Sequence, residues 1–133
     1  MTQLPFPPQA PLIVFPCLVE YRRRIFIDVA IDTGASVTII SEKVAKKLGF
    51  NLTKPTEQTS FSNASQSHLV PIITLKSICL GEAKIENLQA LCYTLPEEHG
   101  IDGVIGLNFL RQFKRVILGF DQGLLILEKN NTV

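Results

Sequence analysis

Nine residues, Arg24-Ile-Phe-Ile-Asp-Val-Ala-Ile-Asp32, constrain this chain more than any others. Apolar side chains at Ile25, Ile27, Val29 and Ile31 recur at every second position, the period of a β-strand with one buried face. Asp32 closes the run with the opposite parity, so its carboxylate is expected on the other face of the strand. Thr33 and Gly34 follow, and a glycine there lets the backbone turn and another chain come close, because it has no Cβ. A strand of this kind presents a carboxylate at its end.

The chain of 133 residues is sized for one domain, with a core that needs neither disulfides nor a metal. Charged residues make up 19% and the net charge is +1, so no basic field exists to attract nucleic acid; small neutral molecules or peptides are the expected partners. Cys17, Cys79 and Cys92 are widely separated and lack the paired spacing of a zinc or redox site, which makes them buried, reduced thiols. The first residues, MTQLPFPPQAP, have neither a basic nor a continuous apolar region, and no stretch approaches about 18 unbroken apolar residues. On these grounds the sequence reads as soluble and cytoplasmic, without a membrane partner.

Residues 1–11 form a Pro-rich arm, extended or irregular and expected to be mobile unless it docks; a linker left from a larger precursor would have the same composition. A domain is expected over 12–128 and a polar tail over 129–133. Leu12–Val19 and the Arg24 strand make a hairpin around Glu20–Arg23. Ser41 is placed to cap a short helix that carries Val44, Ala45 and Leu48 on one face and ends at Gly49. The polar stretch 51–68 reads as a loop or an exposed hairpin tip. Leu69–Leu80 and Ile85–Leu95 form a further hairpin; Asn108 is expected to cap a second helix bearing Phe109, Leu110 and Phe113, and two short strands follow. About seven strands and two short helices point to an all-β, closed or partly closed barrel.

Asp32-Thr-Gly-Ala-Ser36 followed about 70 residues later by Val104-Ile-Gly-Leu-Asn-Phe-Leu110 resembles the retropepsin-like aspartic proteases over residues 12–128, nearer to cellular and bacterial members than to viral ones. The resemblance implies an acid-protease barrel, active as a symmetric homodimer that hydrolyses peptide bonds without cofactor or metal. Its mechanism requires two carboxyl groups sharing a proton, whereas this chain has a single Asp-Thr-Gly, so Asp32 and its symmetry mate would face each other across a two-fold axis. Such a pair titrates in two coupled steps. The resemblance also gives Thr33 the task of bonding across the dimer, Gly34 that of lying against substrate, and Ala35 and Ser36 the rest of the loop. It makes 61–68 a flap, in which Phe61, Ser62, Asn63, Ala64 and Ser65 would touch a peptide, with Ile105, Gly106 and Leu107 beneath it. Two departures stand out: Ser36 and Leu107 occupy places where viral members often carry a paired Asp and Arg. The flap tip, SNASQS, has no glycine. A second reading is a peptide-binding or dimerisation module with this fold and no turnover.

Several residues have plainer explanations. Asp28 shares Asp32's side of the strand, but four residues span about 13 Å, too far for proton sharing. Asp102 reads as a turn residue. His68 and His99 have no ligand set around them, and Ser36 and Ser41 have no histidine in register for nucleophilic chemistry. The triplet Arg22, Arg23 and Arg24 reads as a solvated tip.

Overall fold

The computed structural model describes residues 1–53, 57–62 and 67–130, with the backbone alone at 57, 60–62, 67 and 68. Among the described residues there are ten strands and two short α-helices, with one 3-10 turn at Glu97–His99: β1 (Thr2–Pro5), β2 (Val14–Glu20), β3 (Arg24–Ile31), β4 (Thr38–Ile40), α1 (Glu42–Leu48), β5 (Glu57–Ser62), β6 (Ser67–Leu80), β7 (Ala83–Cys92), β8 (Gly103–Ile105), α2 (Leu107–Leu110), β9 (Arg115–Gly119) and β10 (Leu124–Glu128). The expected all-β architecture is present, with more strands than the pattern alone suggests.

Strands pair in the order β2-β3-β8-β4-β7-β6, and β6 returns to β2 through Leu18 opposite Cys79 and Val19 opposite Ile78, which closes a barrel. Among the described residues β5 pairs with β6, from Glu57 opposite Ile72 to Ser62 opposite Ser67, so 57–62 and 67–68 of the polar stretch are paired strands, the second of the two expected forms. Two pairings in the barrel are parallel, β3 with β8 and β4 with β7. The first matters most for function, because it brings the ends of β3 and β8 to the same edge.

Alternation in β2 and β3 sends Phe15, Cys17, Val19, Ile27 and Val29 into the barrel, where they meet Leu75, Ile78, Ile105 and Phe109 in one continuous core. A second, smaller cluster lies on the outer face of β3, β4 and β8, with Ala30, Ile39 and Val104 at its centre and Tyr93, Leu95 and Ile101 packed against them. Buried thiols fit the expectation for Cys17 and Cys92, while Cys79 is partly exposed; all three are free. Burial pushes the thiols of Cys17 and Cys92 up to about 12, so both stay protonated and inert at neutral pH.

α1 begins and ends as its sequence suggests. Ser41 Oγ accepts the Val44 N–H at 3.2 Å, and Gly49 closes the helix at φ 105°, a conformation that side chains disfavour. Its buried face is Val44, Ala45 and Leu48. The tip between β2 and β3 is tied to this helix: the Arg22 N–H donates to Leu48 O at 3.1 Å, and Tyr21 stacks on Phe50 with ring centroids 3.8 Å apart.

The N-terminal arm takes the extended, docked form, one of the courses its composition allows. Thr2–Pro5 pairs with β10, and β10 with β9, in a separate three-stranded sheet. Leu125 and Leu127 of that sheet are fully buried, and Phe6 packs edge-on against Phe15 of the barrel. Past the strand, the Phe6 N–H donates to Gly123 O at 2.9 Å, and a Cβ at Gly123 would sit 2.0 Å from Phe6 O. The prolines keep the arm extended, and its docking is decided by residues at the other end of the chain.

Candidate active site

β3 delivers Asp32 to the barrel edge with its side chain exposed. Three backbone contacts fix the carboxylate's position. The Asp32 N–H donates to Ile105 O at 3.0 Å across the parallel pair, Asp32 O accepts the Ala35 N–H at 3.2 Å, and Asp32 Oδ1 accepts the Gly34 N–H at 2.9 Å. The last bond holds one carboxylate oxygen inside the turn. Thr33 and Gly34 are exposed beside it, Ser36 is exposed, and Ala35 is half-buried.

The loop is held from behind by the turn that joins β8 to α2. Leu107 N–H donates to Ala35 O at 2.8 Å, and Asn108 N–H to Ser36 O at 3.2 Å. Asn108 does not cap α2: the helix starts after Gly106 without a side-chain cap, and the Asn108 amide turns away to link three elements. Its Oδ1 accepts both the Thr38 N–H and the Thr38 hydroxyl, each at 2.8 Å, while its Nδ2 donates to Gln89 O at 2.7 Å. Thr38 Oγ1 in turn accepts the Gly106 N–H at 3.1 Å, and Thr38 is fully buried. Every polar atom in this set is used, which suits a network that must hold one geometry.

Gly106 leaves no room for another residue. A Cβ there would lie 2.6 Å from the carbonyl carbon of Val37 and 2.8 Å from Ala35 O. Gly103 is equally tight, 2.5 Å from Ile39 O. The β8 turn therefore packs backbone to backbone against the Asp32 loop. Ile105, expected beneath a substrate, is fully buried in the barrel core and meets Asp32 only through its backbone; Val104, one residue earlier, faces the outer cluster on Asp32's side of the sheet. Leu107 is half-buried and Gly106 is buried.

Other residues singled out in the sequence lie apart from the carboxylate. Asp28 is exposed, and its carbonyl accepts the Asp102 N–H at 2.8 Å. Asp102 O accepts the Ser41 N–H at 2.9 Å, so Asp102 ties β3 to α1 through its backbone, as a turn residue does. Within the hairpin, Phe61 stands opposite His68 and Ser62 opposite Ser67. Asn63, Ala64 and Ser65 lie outside the described residues. Thr38 is the residue of the bracing network that sequence reasoning passed over. Thr38 carried a signal, a hydroxyl in an otherwise apolar run, Val-Thr-Ile-Ile.

A closed barrel with parallel β3 and β8, an exposed Asp-Thr-Gly loop at one edge and a glycine turn behind it defines a retropepsin-like aspartic protease fold. Residues 24–112 match the family described as "gag-polyprotein putative aspartyl protease", and the chain belongs to that family. Among solved structures it is similar to a retropepsin-like aspartic protease from Rickettsia conorii, at 23% identity over 96% of this chain and 89% of that one, with a TM-score of 0.74. It is also similar to the retroviral protease-like domain of Ddi1 from Leishmania major, at 14% identity over 92% and 93% of the two chains, with a TM-score of 0.60. No curated protein matches the chain. Among the described residues, no helix is long and apolar enough to cross a membrane.

Proposed function

We propose that the chain is an aspartic endopeptidase that works as a homodimer, with Asp32 of each copy supplying one of two catalytic carboxyl groups. One observation carries this reading: a single exposed carboxylate, aimed by its own turn, on a loop braced from behind by hydrogen bonds that converge on the buried Thr38. One carboxylate cannot act as base and acid at once. Asp28 lies about 13 Å along the strand, out of reach, so the second group comes from a second copy.

In that dimer one Asp32 is ionised and the other protonated. The ionised carboxylate takes a proton from a bound water as its oxygen attacks the peptide carbonyl carbon; the protonated one gives its hydrogen to the carbonyl oxygen. Collapse of the tetrahedral diol returns a proton to the leaving nitrogen and breaks the C–N bond. An extended peptide is held as an added strand between the β5–β6 hairpin and the loop edge, with the half-buried Ala35 and Leu107 as apolar surface for its side chains.

The test is cleavage of a mixed peptide library between about pH 4 and 7, read by mass spectrometry, with Asp32→Asn as the control. Cuts that vanish in the variant, while its fold and oligomeric state are kept, support the proposal. A preparation confirmed as dimeric that makes no cut at any pH overturns it in favour of a peptide-binding module.

A further inference from the structure

Phe26 is the most exposed large apolar side chain of the described residues, at 72%, and it stands in the middle of a strand. It is on the same face of β3 as Asp28 and Asp32, by parity. Six residues separate it from Asp32, about 20 Å of strand, so it lies beyond the reach of the loop.

Phe26 and Pro16 form a ridge between two concave surfaces. On one side a groove of about 360 Å³ runs over Leu4, Phe15, Leu18 and Cys79, at the seam between the barrel and the terminal sheet. Its walls are almost wholly apolar. On the other side a smaller hollow of about 120 Å³ is walled by Asp28 and Asp102. Among the described residues neither aspartate has a cationic partner, although four ion pairs form elsewhere. Arg24, the nearest cation on that face of β3, is about 13 Å along the strand from Asp28. An apolar groove and an uncompensated acidic hollow therefore meet at one aromatic side chain.

We infer that this surface is a docking site for an extended peptide segment that carries a basic side chain two residues from a bulky aliphatic one. The hollow accepts the cationic head between Asp28 and Asp102, and the Phe26 ring supports its methylene stem and adds a cation–π contact. The aliphatic side chain crosses Pro16 into the larger groove. The two centres are separated by about two strand spacings, roughly 10 Å, which side chains at i and i+2 of an extended peptide span when one of them is as long as arginine. Charge complementarity selects this occupant over an acidic or uncharged segment. The site is separate from the carboxylate loop and does not rest on the hydrolytic reading.

Binding is measured with the Asp32→Asn chain, so that no probe is consumed, by fluorescence anisotropy of a fluorescein-labelled peptide Gly-Gly-Arg-Ser-Leu-Gly-Gly. Phe26→Ser and the Asp28→Asn/Asp102→Asn pair are each expected to weaken binding about tenfold or more, the second only at low salt. Replacing Arg by Glu in the probe is expected to abolish binding. Phe26 is exposed, so its variant keeps the fold, which a melting curve verifies. Equal affinity of the parent and both variants, or equal affinity for the Glu probe, overturns the assignment. So does dissociation of a dimer by Phe26→Ser, which would make this face a contact between two copies.

Discussion

The Asp32 loop and the β8–α2 turn are built on one local plan, a strand running into a glycine turn, and they lie side by side because β3 and β8 are parallel. Their glycines answer to different needs. At Gly34 an added Cβ would meet, among the described residues, only Oδ1 of its own Asp32, at 3.2 Å. At Gly106 the same atom would strike backbone at 2.6 Å, with no side chain to move aside. One turn is open so that it can present a carboxylate, and the other is closed so that it can brace the first. The chemistry of the edge belongs to one loop and its rigidity to the other.

This contrast is broken most directly at Gly106. Gly106→Ala must push apart two backbone segments, and its cost is expected at about 4 kcal/mol or a failure to fold, read by chemical denaturation. Gly34→Ala has only a side-chain oxygen to displace and is expected to cost under about 1 kcal/mol while lowering activity, because the added methyl stands where substrate approaches. If the two glycines cost the same, the division between presenting and bracing turns fails.

Asn108→Ala sharpens the same contrast at a smaller scale. It strands the buried Thr38 N–H and hydroxyl together, an expected loss of about 2–3 kcal/mol. Thr38→Val removes the hydroxyl that serves Gly106 and Asn108 but keeps the backbone donor, so about 1–2 kcal/mol is expected. A double-mutant cycle between the two should show coupling, since they share a network.

Smaller effects belong to regions outside the edge. In native protein, iodoacetamide is expected to label Cys79 and to spare Cys17 and Cys92, whose burial holds them protonated at neutral pH, as peptide mapping will show. The forked Arg115–Glu128 pair at the terminal sheet, at 2.9 and 2.7 Å, holds the Glu128 carboxyl below its usual range. A depressed carboxylate stabilises the fold above its unfolded-state value and loses that contribution as pH falls through the folded one. Arg115→Ala is therefore expected to lower Tm slightly at neutral pH, since Arg115 is largely exposed, and not at all in acid, where Glu128 is protonated.

What the sequence discloses of this molecule is mostly local. The alternation of β3, Ser41 as a cap, Gly49 as a stop and the exposure of Asp32 all follow from residues within a few positions of one another. What it conceals depends on distance along the chain. Asn108 has the chemistry of a helix cap, and only the arrival of Thr38, 70 residues earlier, turns its amide to another task. The prolines of the arm allow an extended or an irregular course, and it is Gly123 and β10, at the other end of the chain, that give it a strand to join. Ile105 looks like cleft surface by its place in the motif, but the parity of β8 sends it inward and leaves Val104 on the outer face. Phe26 was hidden for the opposite reason: the apolar positions beside it form so regular a stripe that its own face drew no notice.

The need for two Asp32 carboxyls is tested by mixing. Wild-type and Asp32→Asn chains are unfolded together, refolded at varied ratios and assayed on one cleaved peptide. If each site takes one carboxyl from each copy, activity per total protein falls with the square of the wild-type fraction, to about a quarter in an equal mixture. A linear fall, to about half, would mean that one chain carries a complete site, and the two-carboxylate dimer would be wrong.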